Sequence, residues 1–318
     1  MSEAIDRGEA PFTLDPAAVG AADRAARNWT ADATGPIILG SEEHKQAFCR
    51  MLLDTHNPYR PSVVDWPILE PEARDRLASL PIWDIAMQTE GNATLRVLSY
   101  AETITDPLLR EAIEVDGFEE SRHKLVLSNL VQAYGIHLAP EPVYQRPRHP
   151  EWAFLLAGFC ECVDTFFAFG LFSLAKQSGF FPPELVDTFE PVVQEEGRHI
   201  LFFVNWVAWH RRNLSRWRRI LFAAKIFSAW AFLIWERIGV ARGIDGQRTG
   251  TVSESESQDN NFVFTGSKAI GSGSISAASV VDVCLSEHDR RFSGYDSRLL
   301  RPNTMPRIMR LARRFMRQ

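Results

Sequence analysis

Cysteine is scarce in this chain, and the short motifs of several common enzyme classes are missing. Four of the 318 residues are cysteine, at positions 49, 160, 162 and 284, and no CxxC pair occurs. A rubredoxin-type or zinc-ribbon site is therefore excluded, because its ligands come as CxxC pairs. No phosphate-binding loop, GxGxxG or GxSxG string is present either. The first twelve residues have no basic start and no apolar stretch, so we expect no signal peptide and a reduced, cytoplasmic chain.

Basic charge is scarce in the front of the chain and abundant in the rear. Residues 1–199 carry 31 Asp/Glu and 16 Lys/Arg, whereas residues 200–318 carry 9 and 19. The acidic front part disfavours nucleic acid as a partner, and we expect none. A basic rear part that is rich in aromatic residues favours contact with an anionic surface.

The apolar segment 220–235 is short for an ordinary membrane span. It has sixteen residues and an internal Lys225, whereas a spanning helix needs about twenty residues. Arg and Trp border this segment, and the chain ends in a short basic amphipathic helix. We therefore expect peripheral membrane contact through residues 213–242 and 305–318, in addition to the cytoplasmic location. A fifth helix packed on the rest of the protein is the alternative for the first of these segments.

Helical periodicity begins at Trp83 and continues to about residue 212. Asp106 and Pro107 supply an N-cap and a first helical residue, and Gly135 and Gly179 supply helix stops. The pattern predicts four helices, the second over 107–134, the third over about 151–177 and the fourth from 183 to about 212.

The chain is expected to divide into five parts. They are an irregular N-terminal arm with short helices packed on the bundle (1–80), the helical bundle (81–212), an apolar and basic fifth helix (213–242), a flexible Gly/Ser-rich linker (243–283) and a basic C-terminal tail (284–318). Within the arm, residues 56–61 have the composition of a turn.

An internal repeat carries the clearest functional signal. Residues 106–123 and 182–199 align without gaps: a proline opens each helix, and a Glu-Glu-x-Arg-His string begins twelve residues later. The result is Glu120 with His123 and Glu196 with His199. Residues three apart share one helix face, so each pair can hold a metal ion, and two facing helices can hold two.

If each Glu-x-x-His pair binds metal, the neighbouring helix is expected to supply a further carboxylate at the same level along the bundle axis. Because antiparallel helices rise equally per residue, the partner of Glu120 is expected near residue 90, where Glu90 lies on an apolar stripe. Glu102 is the alternative, but it lies close to the turn. The same arithmetic on the third helix gives residues 163–165, which Glu161 and Asp164 bracket. Glu161 is favoured as the ligand, with Asp164 as its rival or as a hydrogen-bond partner of a ligand.

Other residues of the bundle have two interpretations each. Arg122 and Arg198 are candidates for ion pairs across the bundle, for example with Glu195 and Glu119, or for solvated surface pairs. A set of phenylalanines is expected either to surround the metal site as a dry substrate pocket or to form ordinary core: Phe154, Phe159, Phe166, Phe167, Phe169, Phe202 and Phe203.

The arrangement over residues 83–212 resembles the ferritin-like diiron-carboxylate superfamily. The resemblance implies an all-α fold, namely a ferritin-like four-helix bundle with one long crossover over 135–150, extended here by the N-terminal arm and extra C-terminal helices. It also implies two bound Fe ions, or an Fe/Mn pair. By motif position the six metal ligands would be the bridging and catalytic carboxylates Glu120 and Glu196, the terminal imidazoles His123 and His199, and the terminal carboxylates Glu90 and Glu161.

The function that this resemblance implies is a non-haem diiron oxidase or oxygenase. It would activate O₂ with electrons from an unidentified donor and oxidise an apolar or amphiphilic small molecule. The missing CxxC, and the roughly 80 residues before and 100 after the bundle, depart from rubrerythrins and from cage-forming ferritins. These departures make a ferroxidase or a peroxide-scavenging protein an alternative and not the leading hypothesis. A non-catalytic helical interaction protein is the second alternative.

Overall fold

In the parts of the chain that the structure describes, every secondary-structure element longer than an isolated β-bridge is a helix. This computed structural model describes residues 16–32, 34–57, 66–80, 82–179, 181–247 and 276–316. Its helices are α1 (Pro16–Arg27), α2 (Glu42–Asp54), α3 (Pro71–Ala78), α4 (Trp83–Ala101), α5 (Pro107–Tyr134), α6 (Pro150–Ser178), α7 (Pro183–Asn213), α8 (Arg216–Gln247), α9 (Ala277–Phe292) and α10 (Thr304–Arg313). Over these ranges the predicted all-α class is confirmed.

The ends of the long helices follow from local sequence. The Asp106 side chain accepts a hydrogen bond from the backbone N–H of Leu109 at 2.9 Å, and Pro107 is the first residue of α5. Gly135 ends that helix with φ of +66°, and Gly179 follows α6 with φ of +65°. These left-handed conformations cost glycine little, so the predicted starts and stops are confirmed.

Four long helices surround the central part of the molecule. α4 packs against α5 and α6, and α6 also packs against α7, α8 and α9. One hydrophobic cluster, which includes Tyr100, Phe154 and Trp206, lies at one end. A second, which includes Trp83 and Tyr134, lies at the other end. Because residue 90 falls between Trp83 and Tyr100 along α4, the predicted ligands lie between the two clusters.

The N-terminal segment is packed deeply against the long helices. α2 lies against both α5 and α7, and its Phe48, Met51 and Leu52 are fully buried. Residues 1–15 and 58–65, which include most of the predicted turn, lie outside the described residues.

Both ends of the predicted linker are helical. α8 continues to Gln247, and α9 begins at Ala277, so the predicted boundaries at 243 and 284 fall inside helices. Residues 248–275 lie outside the described residues. At position 170 the close approach of α9 to α6 requires glycine, since a Cβ atom there would lie 2.2 Å from Cys284 Sγ.

α6 is also the one helix in the described ranges that is long and apolar enough to cross a membrane. However, 61% of its most apolar window is buried inside the protein, as in the core helix of a globular protein. α8 differs from it: it packs one side on α6 and α7 but leaves large apolar side chains exposed.

Candidate metal centre

The two copies of the Glu-Glu-x-Arg-His string face each other across the centre of the molecule. Glu120, His123, Glu196 and His199 each offer one ligand atom, and these atoms lie within 4.8 Å of one another. The two imidazole rings are 5.5 Å apart between centroids. Both rings and Glu120 are buried, and Glu196 is partly buried. A buried cluster of carboxylates and imidazoles, able to hold a metal ion, is therefore present where the repeat predicts it.

The inward-facing atoms of each helix lie close to those of the facing helix. His123 Nδ1 lies 3.0 Å from Glu196 Oε1, and His199 Nδ1 lies 2.9 Å from Glu120 Oε1. Neither Nδ1 atom, nor Glu120 Oε1, has a partner with hydrogen-bond geometry among the described residues. Buried polar atoms without partners are uncommon, and they are explained here if a cation takes the place of the missing donors.

The opposite ring nitrogens are held by the first glutamate of each string. His123 Nε2 lies 2.9 Å from Glu195 Oε2, and His199 Nε2 lies 2.7 Å from Glu119 Oε2. An imidazole that donates from Nε2 to a carboxylate can present its Nδ1 lone pair to a metal, and its ring orientation is fixed. The repeat therefore supplies both the inward groups and the groups that orient them.

Two buried arginines complete this crosswise arrangement. Arg122 donates to Glu195 at 2.6 Å, and Arg198 donates to both oxygens of Glu119 at 3.0 and 2.9 Å. All four side chains are buried. The ion pairs predicted across the bundle are confirmed, and the alternative of solvated surface pairs is wrong.

The end of α2 and the residues after it supply contacts that sequence reasoning missed. Arg198 donates to Thr55 Oγ1 at 2.7 Å and to the Leu52 carbonyl, and Arg122 donates to the Asn57 carbonyl. His56 Nδ1 forms a short hydrogen bond with Glu119. No pattern in residues 52–57 signals these contacts, because they depend on how α2 docks on α5 and α7.

Glu90 and Glu161 lie beside the cluster, on the two other long helices. Glu90 Oε2 is 3.7 Å from His123 Nδ1, so the height arithmetic places it well. Glu102, the rejected alternative, pairs instead with Arg146 at the exposed end of the helix. The charge of Glu161 acts on Glu120, whereas Asp164 accepts a hydrogen bond from Cys160 Sγ at 3.2 Å.

Negative charge accumulates in the centre of the molecule. Burial, followed by the charges of Glu196 and Glu161, raises the pKa of Glu120 well above its usual range. Burial and the neighbouring carboxylates Asp116 and Glu196 raise the pKa of Glu161 in the same direction. For Asp116 burial outweighs the nearby His199 and gives a pKa of about 6. Divalent cations would remove this repulsion, so the donor set fits a metal.

The same carboxylates that disfavour further negative charge favour positive charge on the two imidazoles. Burial lowers the pKa of His123, but Glu195, Glu196 and Glu90 more than compensate and raise it well above its ordinary value. Asp116, Glu119 and Glu120 do the same for His199. The surrounding carboxylates therefore favour positive charge at both rings, and a metal ion that binds through Nδ1 competes with a proton for that position.

A cavity of about 350 Å³ opens onto the cluster. Five of the six predicted ligands line it: Glu90, Glu120, His123, Glu161 and Glu196. Apart from these, its walls are mostly apolar, and they include Phe172, Phe181 and Phe189. None of the seven phenylalanines in the predicted pocket set lines the cavity; those seven belong to the hydrophobic core or pack against it, so the core interpretation is the correct one.

Comparison with known proteins finds no family model, no curated protein and no solved structure that matches this chain.

Proposed function

We propose that this chain is a non-haem dimetal oxidase or oxygenase built on a ferritin-like four-helix bundle. The four helices are α4, α5, α6 and α7, and residues 135–149 form the long crossover from α5 to α6. Two Fe ions, or an Fe/Mn pair, occupy the cluster. The observation that carries the proposal is the set of unpartnered, inward-facing ligand atoms on two crosswise-paired helices.

The donor set suits two divalent ions of the first transition row. Glu90, Glu120, Glu161 and Glu196 supply four negative charges, which two M²⁺ ions balance, and His123 and His199 supply one nitrogen each. Mixed imidazole and carboxylate ligands favour iron or manganese over a thiolate-preferring metal. When bound, two ferrous ions supply electrons for the reduction of O₂, and a separate electron donor must restore them.

The protein's own residues orient the imidazoles and hold their protons. Glu195 and Glu119 accept the Nε2 protons of His123 and His199, which leaves Nδ1 of each ring directed at the cluster. Arg122 and Arg198 hold these two outer carboxylates in place through ion pairs. This orientation is set in the absence of metal, so little rearrangement is needed on loading.

The cavity determines what kind of molecule can reach the cluster. Apolar walls beside Glu120 and Glu196 exclude water and admit an apolar or amphiphilic small molecule. A protein that only oxidises iron or removes peroxide needs no organic cavity of this size beside its metals. The cavity therefore favours the oxygenase hypothesis over the ferroxidase hypothesis. The four cysteines are free thiols, which supports a reducing, cytoplasmic location.

Metal loading tests the ligand assignment directly. The purified chain, incubated with ferrous iron without oxygen and desalted, is expected to retain about two metal ions. Glu120→Ala and Glu196→Ala should lose most of this metal, whereas the matched control Glu102→Ala should retain it. Glu161→Gln should reduce loading more than Asp164→Asn. Full loading of both alanine variants would refute the proposed centre and would favour a helical interaction protein.

Oxygen consumption then separates the two enzymatic hypotheses. An oxygenase supplied with a chemical reductant should consume O₂ faster when a suitable amphiphile is added. A ferroxidase should instead consume O₂ in proportion to added ferrous iron and accumulate ferric iron, with no effect of the amphiphile.

A further inference from the structure

The cavity beside the cluster is long and follows one helix. Its lining on α6 begins at Leu156 and ends at Ala175. Nineteen residues of helix correspond to roughly 28 Å. Glu161 lies near the start of this stretch, so most of the length extends beyond the cluster, towards the end of α6. A cavity of this form accommodates an extended chain better than a compact ring system.

The distant end of the cavity is entirely apolar. It is formed by residues that belong to the second hydrophobic cluster, among them Leu80, Trp83, Phe181, Leu185 and Val186. No charged side chain lines it there, within the described part of the chain. An alkyl chain can be buried in this end, but a polar head group cannot.

The other end of the cavity carries a cation without a partner. Arg96 is half-buried and lines the cavity, and its guanidinium forms no hydrogen bond or ion pair with any described residue. A second cavity of about 280 Å³ adjoins it and shares Asn92, Arg96 and Leu156. Arg148 and His149 line this second cavity, and no carboxylate does. A half-buried arginine normally pairs with an anion, so this place suits an anionic ligand.

We propose that Arg96 binds the anionic head group of an amphiphilic substrate whose single alkyl chain extends past the metal cluster into the apolar end of the cavity. Arg96 and Glu90 are six residues apart on α4, which places the head group about 9 Å along the helix axis from the cluster. The chain atoms next to the cluster are then several bonds away from the head. This inference rests on the proposed function and names the substrate class for the same site.

Binding to the metal-free protein tests the head-group site without any need for activity. Isothermal titration with dodecanoate, with dodecanol and with acetate compares the charged chain, the uncharged chain and the charge alone. Dodecanoate should bind clearly more tightly than dodecanol, and acetate should not bind measurably. Arg96→Gln should weaken dodecanoate binding about tenfold to a hundredfold, as expected for a lost charge-assisted hydrogen bond. The control Arg211→Gln, an exposed arginine at the end of α7, should leave it unchanged.

A second variant tests the direction of the chain. Ala168 lines the cavity on α6 seven residues beyond Glu161, about 10 Å along the axis. Ala168→Phe should weaken binding of octadecanoate, whose extended chain is long enough to reach this position from Arg96, while leaving hexanoate binding nearly unchanged. Equal affinities for dodecanoate and dodecanol, or an Arg96→Gln variant with unchanged affinity, would overturn the inference. Since these measurements need no metal, they fail independently of the metal-loading test.

A separate observation concerns the outer face of α8, which we define as Trp217, Ile220, Leu221, Phe227, Ile234 and Trp235. These residues recur at spacings of three, four and seven, so they share one side of the helix. Trp217, Phe227 and Trp235 are 78%, 74% and 70% exposed. The opposite side of α8 is buried by Phe222, Ala229 and Leu233. Single exposed apolar residues are ordinary on proteins, but a continuous row is not.

Basic residues border this row. Arg216, Arg218 and Arg219 are exposed in the first turn of α8, and Lys225, which pairs with Glu151, is exposed along it. From this combination we infer that the outer face of α8 lies on an anionic lipid surface, with the aromatic side chains in the interface and the arginines at the phosphate level. Phe232, which lines the cavity, is on the same helix, so an amphiphile could pass from the lipid towards the cluster. The contribution of residues 305–318 stays a prediction.

Vesicle co-sedimentation of the full chain tests this second inference. Vesicles of phosphatidylcholine with one third phosphatidylglycerol should bind the wild-type chain, and pure phosphatidylcholine should bind it much less. The triple variant Trp217→Ser, Phe227→Ser, Trp235→Ser should lose binding. Val143→Ser, which replaces a single apolar residue that is 92% exposed elsewhere, should retain it. Absence of vesicle binding would overturn the inference, as would a wild-type dimer that the triple variant dissociates.

Discussion

The two copies of the Glu-Glu-x-Arg-His string are nearly equivalent on their inner side and different on their outer side. On both helices the second glutamate and the histidine face the centre, and the first glutamate accepts bonds from the histidine and arginine of the other copy. Glu119 on α5 has one more donor, His56, which comes from the segment after α2. Glu195 on α7 has no counterpart to it among the described residues.

This difference shows which part of the centre the repeat determines. Inner ligands and crosswise pairs follow from two copies of one string, because equal spacing on facing helices gives equal positions. The additional support of Glu119 follows from α2, which is not repeated. Burial raises the pKa of Glu119, but Arg198, His199 and His56 together hold it well below its ordinary value. The predictions below test whether the two copies contribute equally to stability and to metal affinity, as their similar inner geometry suggests.

The largest effect is expected from removing either buried arginine. Arg122→Met and Arg198→Met should each lower the free energy of unfolding by about 3–5 kcal/mol, because each leaves a buried carboxylate without its main cation. Urea denaturation of the metal-free chain measures the loss. The exposed arginine in Arg211→Met should change stability by less than about 0.5 kcal/mol. A loss below about 1 kcal/mol for either buried arginine would contradict its role as the main cation of its carboxylate.

Much of the fold and the inner site was predictable from sequence, because the signals are local or repeated. Asp106, Pro107 and Gly135 fix the ends of α5 by hydrogen bonding and backbone conformation within a few residues. The height arithmetic identified Glu90 because helical rise is uniform. The helix ends and the position of Glu90 can both be predicted without the tertiary structure, because they depend only on local sequence and on regular helix geometry.

The parts that could not be predicted depend on docking between distant segments. His56 meets Glu119 across 63 residues of sequence, and its neighbours have only the composition of a turn. The start of α9 at Ala277 was missed, because a Gly/Ser-rich stretch precedes it and obscures where the helix begins. The phenylalanines of α6 and α7 were ambiguous, because a Phe-rich face looks the same whether it lines a cavity or fills a core.

The next largest effect on stability is expected from removing His56, the additional donor to Glu119. His56→Ala should cost about 1.5–3 kcal/mol, the usual range for a hydrogen bond to a charged group. The exposed His137 provides a matched control, and His137→Ala should have almost no effect. A double-mutant cycle sharpens the comparison: His56→Ala should couple more strongly to Arg198→Lys, which donates to the same carboxylate, than to Arg122→Lys, which lies 3.7 Å from it. Coupling of equal size to both arginines would mean that the two copies form a single network.

A somewhat smaller effect is expected on metal affinity when the orienting carboxylates are neutralised. Glu119→Gln and Glu195→Gln keep the size of the side chain but weaken the bond to the Nε2 proton. Each should reduce iron affinity about tenfold to a hundredfold, and by similar factors. Competition with a chelator of known affinity measures the change, with Glu102→Gln as control. An unchanged affinity in one variant would show that only one of the two imidazoles binds a metal.

The smallest effect is expected at a carboxylate outside the centre, where solvent reduces the strength of ion pairs. Glu151 at the start of α6 accepts a hydrogen bond from His210 at 3.1 Å and pairs with Lys225 of α8. The bond from His210, opposed by burial and assisted by Lys225, lowers the pKa of Glu151 to about 2. Because its folded-state pKa lies below the unfolded value, its contribution to stability is present above about pH 4 and is lost as the pH falls towards 2. Since the group is partly exposed, the contribution should be below about 1 kcal/mol. The difference in unfolding free energy between wild type and Glu151→Gln, followed from pH 7 to pH 3, should therefore shrink with acidification. A difference that stays constant over this range would show that Glu151 holds α6 and α8 together by packing and not by charge.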